Sequence, residues 1–530
     1  MSLRRWLLKL YLARFGAPRD LLRHAFRRYP ERTALIAASG ELTFAALGRR
    51  VQSLAAGLES AGLRPGDSLF ALLPDDWQQV EVRLAAFEAN FVLTSFHTSH
   101  DPNLIARAAG AASPRAFVYD PALAGRLPAD LDATVPGLRL IPVGPDSLYE
   151  RLIADMPARP SAAPVRPSDP AGLGFTSGTT GAPKGLYTTH GAIVTSLKLT
   201  AANVSVSPGR RDVFLLGIPL VGAGGGVVLP MLFSGAALVV PEHYDADELV
   251  SLITRHGVTR LFVTPSTLID LLDHPSADLG GLWNVIYGTA PMPVPKLKEA
   301  IRRWGPIFQQ GYGMAEVLPP VSLLQMGDHG SQDQPAPDAV LRSAGSVVPE
   351  VGVRIVDGAG QPRPEGSVGE IAIHSPTTFS GYWGQPELTA RALAGGWYRS
   401  GDLGFLAAGR LTVLCRRADL LQRAGRQLAP LTVEEPAHRH PGVKEACLVD
   451  GRGAGEITLV VSPRRSWRGA EARLTAELKA LLADRLDAWQ RPDRIEVWPE
   501  LPRSYLVKVL RRQVRQELAR RTIMPREKEA

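Results

Sequence analysis

The chain of 530 residues is 45% apolar and 21% charged, a composition typical of a globular protein that can bury several domain-sized cores. Its formal charge of +8 is concentrated at the ends: residues 1–30 hold eight Arg or Lys against one Asp, and residues 501–530 hold nine against three Glu. This placement argues against a broad nucleic-acid-binding face, so we expect no nucleic-acid partner. The two cysteines, Cys415 and Cys447, match no metal-ligand or redox spacing, which favours a reducing compartment.

The N-terminal segment MSLRRWLLKLYLARF has no small-residue cleavage site, and no apolar run in the chain reaches the roughly 18 residues of a membrane span. We therefore expect a cytoplasmic protein. Basic residues fall on both sides of a helix built from this segment, which predicts a docked or frayed N-terminal helix. A peripheral contact of residues 1–15 with anionic lipid on the inner face of the membrane is the alternative.

Helix and strand patterns then alternate along the chain. Apolar residues at helical spacing predict a helix after Thr43, and a Pro-Gly-Asp turn leads into an apolar run at 68–73, which predicts a buried strand. The same patterns recur as a helix at 247–256, a strand at 258–264 and a helix at 293–304. Such alternation predicts an α/β fold with largely parallel sheets.

The pattern changes from about Val347 to short strands separated by Asp-Gly and Glu-Gly turns, which predicts a small β-rich subdomain. After Arg416 the chain alternates again, with an apolar stretch at 443–449 and a helix from about 470 to 485. The sequence thus predicts a large N-terminal α/β domain at 1–415, with mixed sheets and a β-rich subdomain, and a small α+β C-terminal domain at 416–530.

The most informative segment is GFTSGTTGAPKGLYTTH at 174–190. Glycines let backbone N–H groups approach an anion, hydroxyls add donors, and a lysine adds charge, so the loop suits a triphosphate better than it suits a flexible linker. The segment is not a P-loop, because Pro183-Lys184-Gly185 replaces the required Gly-Lys-Ser/Thr. Its candidate ATP-binding residues are Thr176, Ser177, Gly178, Thr179, Thr180, Gly181 and Lys184.

This loop resembles the signature of the adenylate-forming superfamily, which includes acyl-CoA synthetases, peptide-synthetase adenylation domains and luciferases. The likeness extends over nearly the whole chain. It implies that ATP and Mg²⁺ activate a small organic carboxylic acid as an acyl-adenylate, which is then transferred to coenzyme A. It also implies that the C-terminal domain is mobile and moves between the two half-reactions.

Two central motifs resemble the family's nucleotide-binding segments. The turn YGTAP at 287–291 resembles the adenine-binding turn, although a plain strand-to-helix turn would look the same. The segment QGYGMAE at 310–316 resembles the one whose tyrosine stacks on adenine and whose glutamate helps to hold Mg²⁺. The resemblance assigns ATP contacts to Gly288, Thr289, Ala290, Pro291, Gly311, Tyr312, Gly313, Met314 and Ala315. It assigns the metal to Glu316 and Thr176.

Two residues further along resemble the family's ribose contacts. Asp402, in WYRSGDLG, stands where an aspartate accepts hydrogen bonds from both ribose hydroxyls, and Arg416 stands where an arginine also contacts the ribose. Ala418 replaces the family's hinge aspartate, which puts the pivot of the C-terminal domain in question. Gly425 stands where a loop closes over the pantetheine arm, so the resemblance assigns it to the thiol channel.

The last motif, LPRSYLVK, resembles the segment whose lysine bridges the carboxylate and the α-phosphate during adenylation. Here that lysine is Lys508, and Val507 stands where the family usually has glycine. The resemblance makes Lys508, Glu316 and Lys184 the catalytic residues.

The acid itself is indicated by the stretch IPLVGAGGG at 218–226, where many relatives carry Phe-His after Pro-Leu. Small, uncharged residues favour a sizeable apolar acid such as a medium- or long-chain fatty acid, although tight packing also explains the glycines. The predicted acid pocket consists of Val221, Gly222, Gly224 and Gly288.

Two alternatives to coenzyme A ligation remain open. The first keeps adenylation but transfers the acyl group to a carrier-protein phosphopantetheine, or closes a hydroxy acid to a lactone. The second is a non-catalytic relative that binds nucleotide or acyl-adenylate, suggested by Ala315, Ala418 and Val507. Retention of the charged residues argues against the second alternative; they are Lys184, Glu316, Asp402, Arg416 and Lys508.

Overall fold

The computed structural model of the protein describes residues 11–176, 184–204, 210–451 and 455–523. The predicted phosphate-loop residues Ser177, Gly178, Thr179, Thr180 and Gly181 lie outside the described residues, as do residues 1–10. The predicted α/β class is confirmed, with a large N-terminal domain and a small C-terminal one.

The strands of the described residues are short and form four sheets. They are β1 (Thr33–Ala37), β2 (Gly40–Thr43), β3 (Ser68–Leu72), β4 (Val92–Phe96), β5 (Ala116–Tyr119), β6 (Arg139–Pro142), β7 (Pro170–Thr176), β8 (Lys184–Thr189), β9 (Val213–Gly217), β10 (Ala237–Val239), β11 (Arg260–Val263), β12 (Asn284–Gly288), β13 (Phe308–Tyr312), β14 (Ser322–Leu324), β15 (Ser346–Val347), β16 (Gly352–Val356), β17 (Gly369–His374), β18 (Gly381–Tyr382), β19 (Tyr398–Ala407), β20 (Arg410–Arg416), β21 (Leu421–Arg423), β22 (Arg426–Leu428), β23 (Val443–Asp450), β24 (Ile457–Pro463) and β25 (Arg494–Val497).

The α-helices alternate with these strands through most of the chain. They are α1 (Pro18–Arg28), α2 (Phe44–Ser60), α3 (Trp77–Ala89), α4 (Pro102–Ala112), α5 (Leu131–Thr134), α6 (Leu148–Ala154), α7 (His190–Asn203), α8 (Gly225–Ser234), α9 (Ala246–His256), α10 (Pro265–Asp273), α11 (Val294–Trp304), α12 (Asp338–Arg342), α13 (Pro386–Ala392), α14 (Leu431–Ala437), α15 (Glu471–Arg485) and α16 (Arg511–Ile523).

Two sheets build the N-terminal domain. A seven-stranded sheet has the order β18-β8-β7-β4-β3-β5-β6, with a parallel centre from β7 to β6. A thirteen-stranded sheet has the order β16-β17-β19-β20-β15-β14-β13-β12-β11-β9-β10-β1-β2. Its strands from β10 to β13 pair in parallel, and those from β13 to β16 pair antiparallel. The predicted β-rich subdomain is therefore the antiparallel continuation of this larger sheet.

Local sequence explains where the predicted elements begin and end. The helix predicted after Thr43 is α2, whose first turn is capped because Ala46 N donates to Thr43 Oγ1 at 3.1 Å. The strand predicted at 258–264 is β11, which covers only Arg260–Val263. It is shorter because the residues at both predicted ends form hydrogen bonds with neighbouring helices. Val258 N donates to Ile253 O at the end of α9, and Thr264 caps α10.

The C-terminal residues form the hairpin β21–β22, the sheet β23-β24-β25 and helices α14 to α16. Strand β20 ends at Arg416 within the large sheet, a short 3₁₀ helix follows at Arg417–Asp419, and the next strand begins at Leu421. The domain boundary at 415/416 and the mobility of the C-terminal domain stay predictions.

Polar contacts join the two domains. Lys296 of α11 is buried and donates from Nζ to Val443 O at 2.6 Å. Arg503 forms ion pairs with Asp270 of α10, in the other domain, and with Glu445 of β23. The C-terminal domain is thus docked in one defined orientation.

The residues that follow the N-terminal ten are packed into the protein. Leu12 and Phe15 are buried, and the rings of Tyr11 and Phe15 pack against Phe233 of α8. Among the described residues, no helix is long and apolar enough to cross a membrane. The peripheral membrane contact expected for residues 1–15 stays a prediction, and residues 1–10 of that segment lie outside the described part of the chain.

Candidate active site

The predicted phosphate loop begins and ends on adjacent strands of the seven-stranded sheet. Thr176 at the end of β7 pairs with Lys184 at the start of β8, so the two predicted ATP-binding residues flank the loop. Lys184 Nζ lies 5.6 Å from the ring centroid of Tyr382, which is on the neighbouring strand β18. This sheet edge therefore holds a cation beside an aromatic ring at the mouth of the loop.

Glu316 lies beside the same aromatic ring. Burial raises the pKa of Tyr382 and of Tyr398, and the carboxylate of Glu316 raises both further. Glu316 and Lys184 therefore approach Tyr382 together, although Glu316 lies in the turn after β13 and Lys184 begins β8. The predicted catalytic pair is brought into one region.

A magnesium ion fits this region as a partner of the nucleotide. The described residues contain no group of three or more His, Cys, Asp or Glu that could hold a metal alone. Mg²⁺ is commonly held by one or two carboxylates together with substrate phosphates, and Glu316 can supply one carboxylate. The metal roles of Glu316 and Thr176 stay predictions.

The predicted ribose-binding residues lie at adjacent strand positions. Asp402 of β19 pairs in register with Arg416 of β20, and Arg416 Nε lies 2.8 Å from Asp402 Oδ1. Tyr312, the last residue of β13, donates from Oη to Asp402 Oδ2 at 2.7 Å. Burial raises the pKa of the Asp402 carboxyl, and Arg416 and Tyr312 oppose that rise. The carboxylate of Asp402 is thus largely buried, and its two oxygens contact Arg416 and Tyr312.

The YGTAP turn lies next to Tyr312. Gly288 pairs with Gly311, and a Cβ at Gly288 would come within 2.7 Å of the Gly311 carbonyl oxygen, so β12 and β13 approach closely here. Thr289 has a φ of +74°, and its buried Oγ1 has no hydrogen-bond partner among the described residues. Such an atom is available to a ligand. Ala290 is half-buried and Pro291 is exposed.

The segment after Tyr312 is a tight turn. Gly313 packs so closely on Pro319 that a Cβ there would come within 2.7 Å of the proline ring. Met314 N donates to Val317 O at 3.1 Å, and Ala315 is exposed. Gly313 is thus required by backbone packing, and the ATP contacts predicted for Met314 and Ala315 stay predictions.

Lys508 reaches this group of residues from the C-terminal domain. Burial and the nearby Arg416 lower the pKa of Lys508 to about 8, and Asp402 opposes that shift. The predicted catalytic lysine therefore lies within electrostatic range of both predicted ribose residues. A cation at this place can stabilise negative charge that develops on a nucleotide.

Three of the four predicted acid-pocket residues belong to the turn Leu220–Gly224, which precedes α8, and the fourth, Gly288, is the last residue of β12. Val221 is buried, and Gly222 has a φ of +98°. A Cβ at Gly224 would overlap the carbonyl oxygen of Pro219, so backbone packing alone accounts for this glycine. The pocket role of these residues stays a prediction.

The predicted thiol-channel residue Gly425 belongs to the small hairpin that precedes α14. It is exposed in the turn between β21 and β22, with a φ of +73°, and a Cβ there would meet no described atom within 4 Å. Lys508, in contrast, is only partly exposed. The thiol-channel role of Gly425 stays a prediction.

Two tyrosines of this region were missed in the sequence analysis. Tyr382 was not named among the predicted site residues, yet it lies beside Lys184. Tyr398 was not singled out, although it precedes Asp402 by four residues on the same strand. Tyr398 lies inside the WYRSGDLG motif, and its position in that motif was the available signal.

Comparison with known proteins decides the family. The model of the AMP-binding enzyme family matches residues 22–383, and that of the AMP-binding enzyme C-terminal domain matches residues 432–508. The chain belongs to the AMP-binding enzymes.

This AMP-binding enzyme is similar to several characterised proteins. It is 31% identical to the feruloyl-CoA synthase of Amycolatopsis sp, over 92% of this chain and 96% of that protein. It is 33% identical to the medium/long-chain-fatty-acid--CoA ligase FadD8 of Mycobacterium tuberculosis, over 67% of this chain and 62% of that protein. Among solved structures, the amide bond synthetase McbA from Marinactinospora thermotolerans superposes with a TM-score of 0.80 and 29% identity, covering 94% of this chain and 99% of McbA.

Proposed function

We propose that this enzyme activates an apolar carboxylic acid with ATP and Mg²⁺ as an acyl-adenylate and then transfers the acyl group to the thiol of coenzyme A. The observation that supports this most directly is the burial of Lys508 beside Asp402 and Arg416. Three charged groups from distant motifs then meet where the family places the ribose and α-phosphate of ATP.

The first half-reaction requires little more than positioning and charge. A carboxylate oxygen of the acid attacks the α-phosphorus of ATP, the new O–P bond forms, and the bond to pyrophosphate breaks. Lys508 holds positive charge where the carboxylate and α-phosphate oxygens meet, and Lys184 holds it near the departing phosphates. Mg²⁺, when bound through Glu316, supplies neutralisation of the polyphosphate charge.

The second half-reaction forms the thioester. The sulfur of the thiol attacks the activated carbonyl carbon, the bond from that carbon to the AMP oxygen breaks, and the thiol proton is lost. Lys508 has no role in this step under the proposal, because the pyrophosphate has already left. In a second orientation of the C-terminal domain, the hairpin turn at Gly425 would line the channel through which the thiol reaches the acyl-adenylate.

A sizeable apolar acid is supported by the small side chains of the Leu220–Gly224 turn and by the name of FadD8. The name of the Amycolatopsis relative favours a second candidate, an aromatic acid of the feruloyl type. Both relatives are named for coenzyme A, which supports a thiol acceptor. McbA is named for amide bonds, so an amine acceptor belongs in the test.

The decisive experiment is pyrophosphate release across a panel of fatty, aromatic and amino acids, each with coenzyme A, with a phosphopantetheinylated carrier protein, with an amine or with no acceptor. The proposal expects acid-dependent release and a thioester product with coenzyme A. Release without any acid dependence, or none with every acid, would refute adenylation. An acyl product formed solely with the carrier protein or the amine would correct the acceptor.

Two variants separate the half-reactions. Lys508→Ala should lower acid-dependent pyrophosphate exchange about 10² to 10³-fold, the effect of one well-placed donor, while thiolysis of supplied acyl-adenylate survives. Gly425→Leu should do the reverse, because it places a side chain in the proposed thiol channel. Matched controls are Lys479→Ala, at an exposed position in the same domain, and Gly469→Leu, at an open turn with a φ of +85°. Equal loss of both steps in either variant contradicts this assignment.

A further inference from the structure

The loop that carries Lys508 contains an unfavourable backbone conformation. Val507 has a φ of +54°, a region that β-branched residues rarely adopt. Two hydrogen bonds inside the loop stabilise this conformation: Ser504 N donates to Lys508 O and Val507 N donates to Ser504 O, both at 2.8 Å. Such conformations persist where the surrounding structure holds them. The groups that hold this loop from outside belong to the N-terminal domain.

Two histidines hold the side chain of Tyr505. The ring of His97 stacks on Tyr505 with centroids 4.7 Å apart and planes inclined by 30°. The ring of His100 meets Tyr505 edge-on, with centroids 4.9 Å apart and planes inclined by 88°. Offset-stacked and edge-to-face rings at these distances attract each other. Tyr505 is therefore clamped between two rings that belong to the other domain.

The two histidines are themselves fixed by their own turn. His97 N donates to His100 Nδ1 at 3.3 Å, and His97 Nδ1 lies 2.8 Å from Ser99 Oγ. Burial, with His100 and Arg126 nearby, lowers the pKa of His97 to about 4, and burial also lowers the pKa of His100. Both rings are neutral at physiological pH, so they can pack against a tyrosine without burying charge.

The next two residues of the loop are also held by the N-terminal domain. Leu506 packs over Gly222, where a Cβ would come within 3.3 Å of Leu506 Cδ2. Thr264 Oγ1 donates to Val507 O at 3.1 Å. Three consecutive residues before Lys508 thus contact the N-terminal domain, and the Tyr505 clamp supplies the largest side chain among them.

We propose that His97 and His100 are positioning residues for the adenylation half-reaction, because their grip on Tyr505 holds the loop that delivers Lys508. This inference rests on the proposed function. Tyr505 belongs to the C-terminal domain and both histidines to the N-terminal domain, so the clamp exists while Lys508 is docked and is lost when the domain turns away. The thiol step, which does not use Lys508, should not require it.

The experiment compares alanine and aromatic replacements in the full-length enzyme. His97→Ala and His100→Ala should each lower acid-dependent pyrophosphate exchange about two- to tenfold, the range expected for one aromatic pair. Tyr505→Ala should lower it more, because both ring contacts disappear. His97→Phe and Tyr505→Phe keep stacked rings and should restore most of the exchange. His243→Ala, at an exposed histidine far from the loop in sequence, is the matched control.

Two further measurements distinguish positioning from general damage. Thiolysis of supplied acyl-adenylate should stay at the wild-type rate in all of these variants. Hydrogen exchange of a peptide spanning residues 503–509, measured without substrate, should be faster in Tyr505→Ala and His97→Ala than in wild type and His97→Phe. This second measurement needs no knowledge of the acid.

The outcomes separate the clamp from the proposed function. A wild-type rate of pyrophosphate exchange in Tyr505→Ala would overturn the clamp. Equal losses of adenylation and thiolysis in these variants would also overturn it. His97→Phe could restore the hydrogen-exchange protection of the loop without restoring pyrophosphate exchange. This result would also overturn the clamp, because a loop that is held in place would then not deliver Lys508. If the wild-type enzyme shows no pyrophosphate exchange with any acid, the proposed function fails. The clamp is tested separately, because hydrogen exchange of residues 503–509 that is the same in Tyr505→Ala and His97→Ala as in wild type would overturn it.

Discussion

The lowered pKa of Lys508 predicts that adenylation loses rate as the pH rises from 7 to 9. Lysine is a cation below its pKa, and burial beside Arg416 brings that pKa from its ordinary value of 10.5 to about 8. Asp402 is the nearby group that opposes the shift. The charge is therefore lost on the alkaline side, at a pH where an exposed lysine would still be protonated.

The size of the effect follows from the protonated fraction. With a pKa of about 8, roughly nine tenths of Lys508 is charged at pH 7 and roughly one tenth at pH 9. If the neutral form adenylates at a negligible rate, kcat/KM for ATP should fall about tenfold over this interval. This parameter reports the free enzyme, whereas bound ATP adds negative charge and should move the corresponding fall in kcat to higher pH.

The assay is acid-dependent pyrophosphate exchange at limiting ATP, so that ionisation of a thiol acceptor plays no part. Lys508→Arg is the control, because its guanidinium stays charged throughout this range. That variant should be slower at pH 7 but flat between pH 7 and 9. A flat wild-type profile, or the same fall in Lys508→Arg, would refute the assignment of the titration to Lys508.

The remaining predictions concern Tyr312 and two glycines. Tyr312→Phe keeps the ring but removes the hydrogen bond to Asp402. Because a hydrogen bond to a charged group contributes about 1.5 kcal/mol, KM for ATP should rise about tenfold in this variant. An unchanged KM for ATP would contradict the role of this hydrogen bond. Gly345→Ala should lower the free energy of unfolding by about 3 kcal/mol in denaturant titrations, because its Cβ would overlap the Leu323 carbonyl. Gly409→Ala, with a similar positive φ and open space, should lose about 1 kcal/mol, and equal losses would argue against the overlap.

The sequence alone was enough to recognise the family, which the comparisons confirm, and to predict the nucleotide contacts, because each predicted contact lies in a contiguous motif. The loop at 174–190, the QGYGMAE segment and the residues around Asp402 are recognisable without knowledge of where they meet. Helix α2 and its Thr43 cap were predictable for a similar reason, since capping and helical periodicity act over a few residues.

Short-range patterns could not separate the two interpretations of the glycines at 218–226. Small side chains there predict either an open pocket or close packing of backbone. The structure shows that Gly224 lies against the Pro219 carbonyl, which requires glycine whatever the pocket holds. That distinction depends on a turn whose path is set by the elements around it, so composition alone does not reveal it.

The contacts between distant segments were decided by the tertiary structure alone. Lys184 and Glu316 lie in separate motifs, yet both approach Tyr382 because β8 pairs with β18 and the segment around Glu316 pairs with the residues just before β18. His97 and Tyr505 are about 400 residues apart and stack because the C-terminal domain is docked in one orientation. Periodicity and turn signals report on neighbours along the chain, whereas docking of two folded units depends on the shapes and charges of surfaces that exist only after each unit has folded.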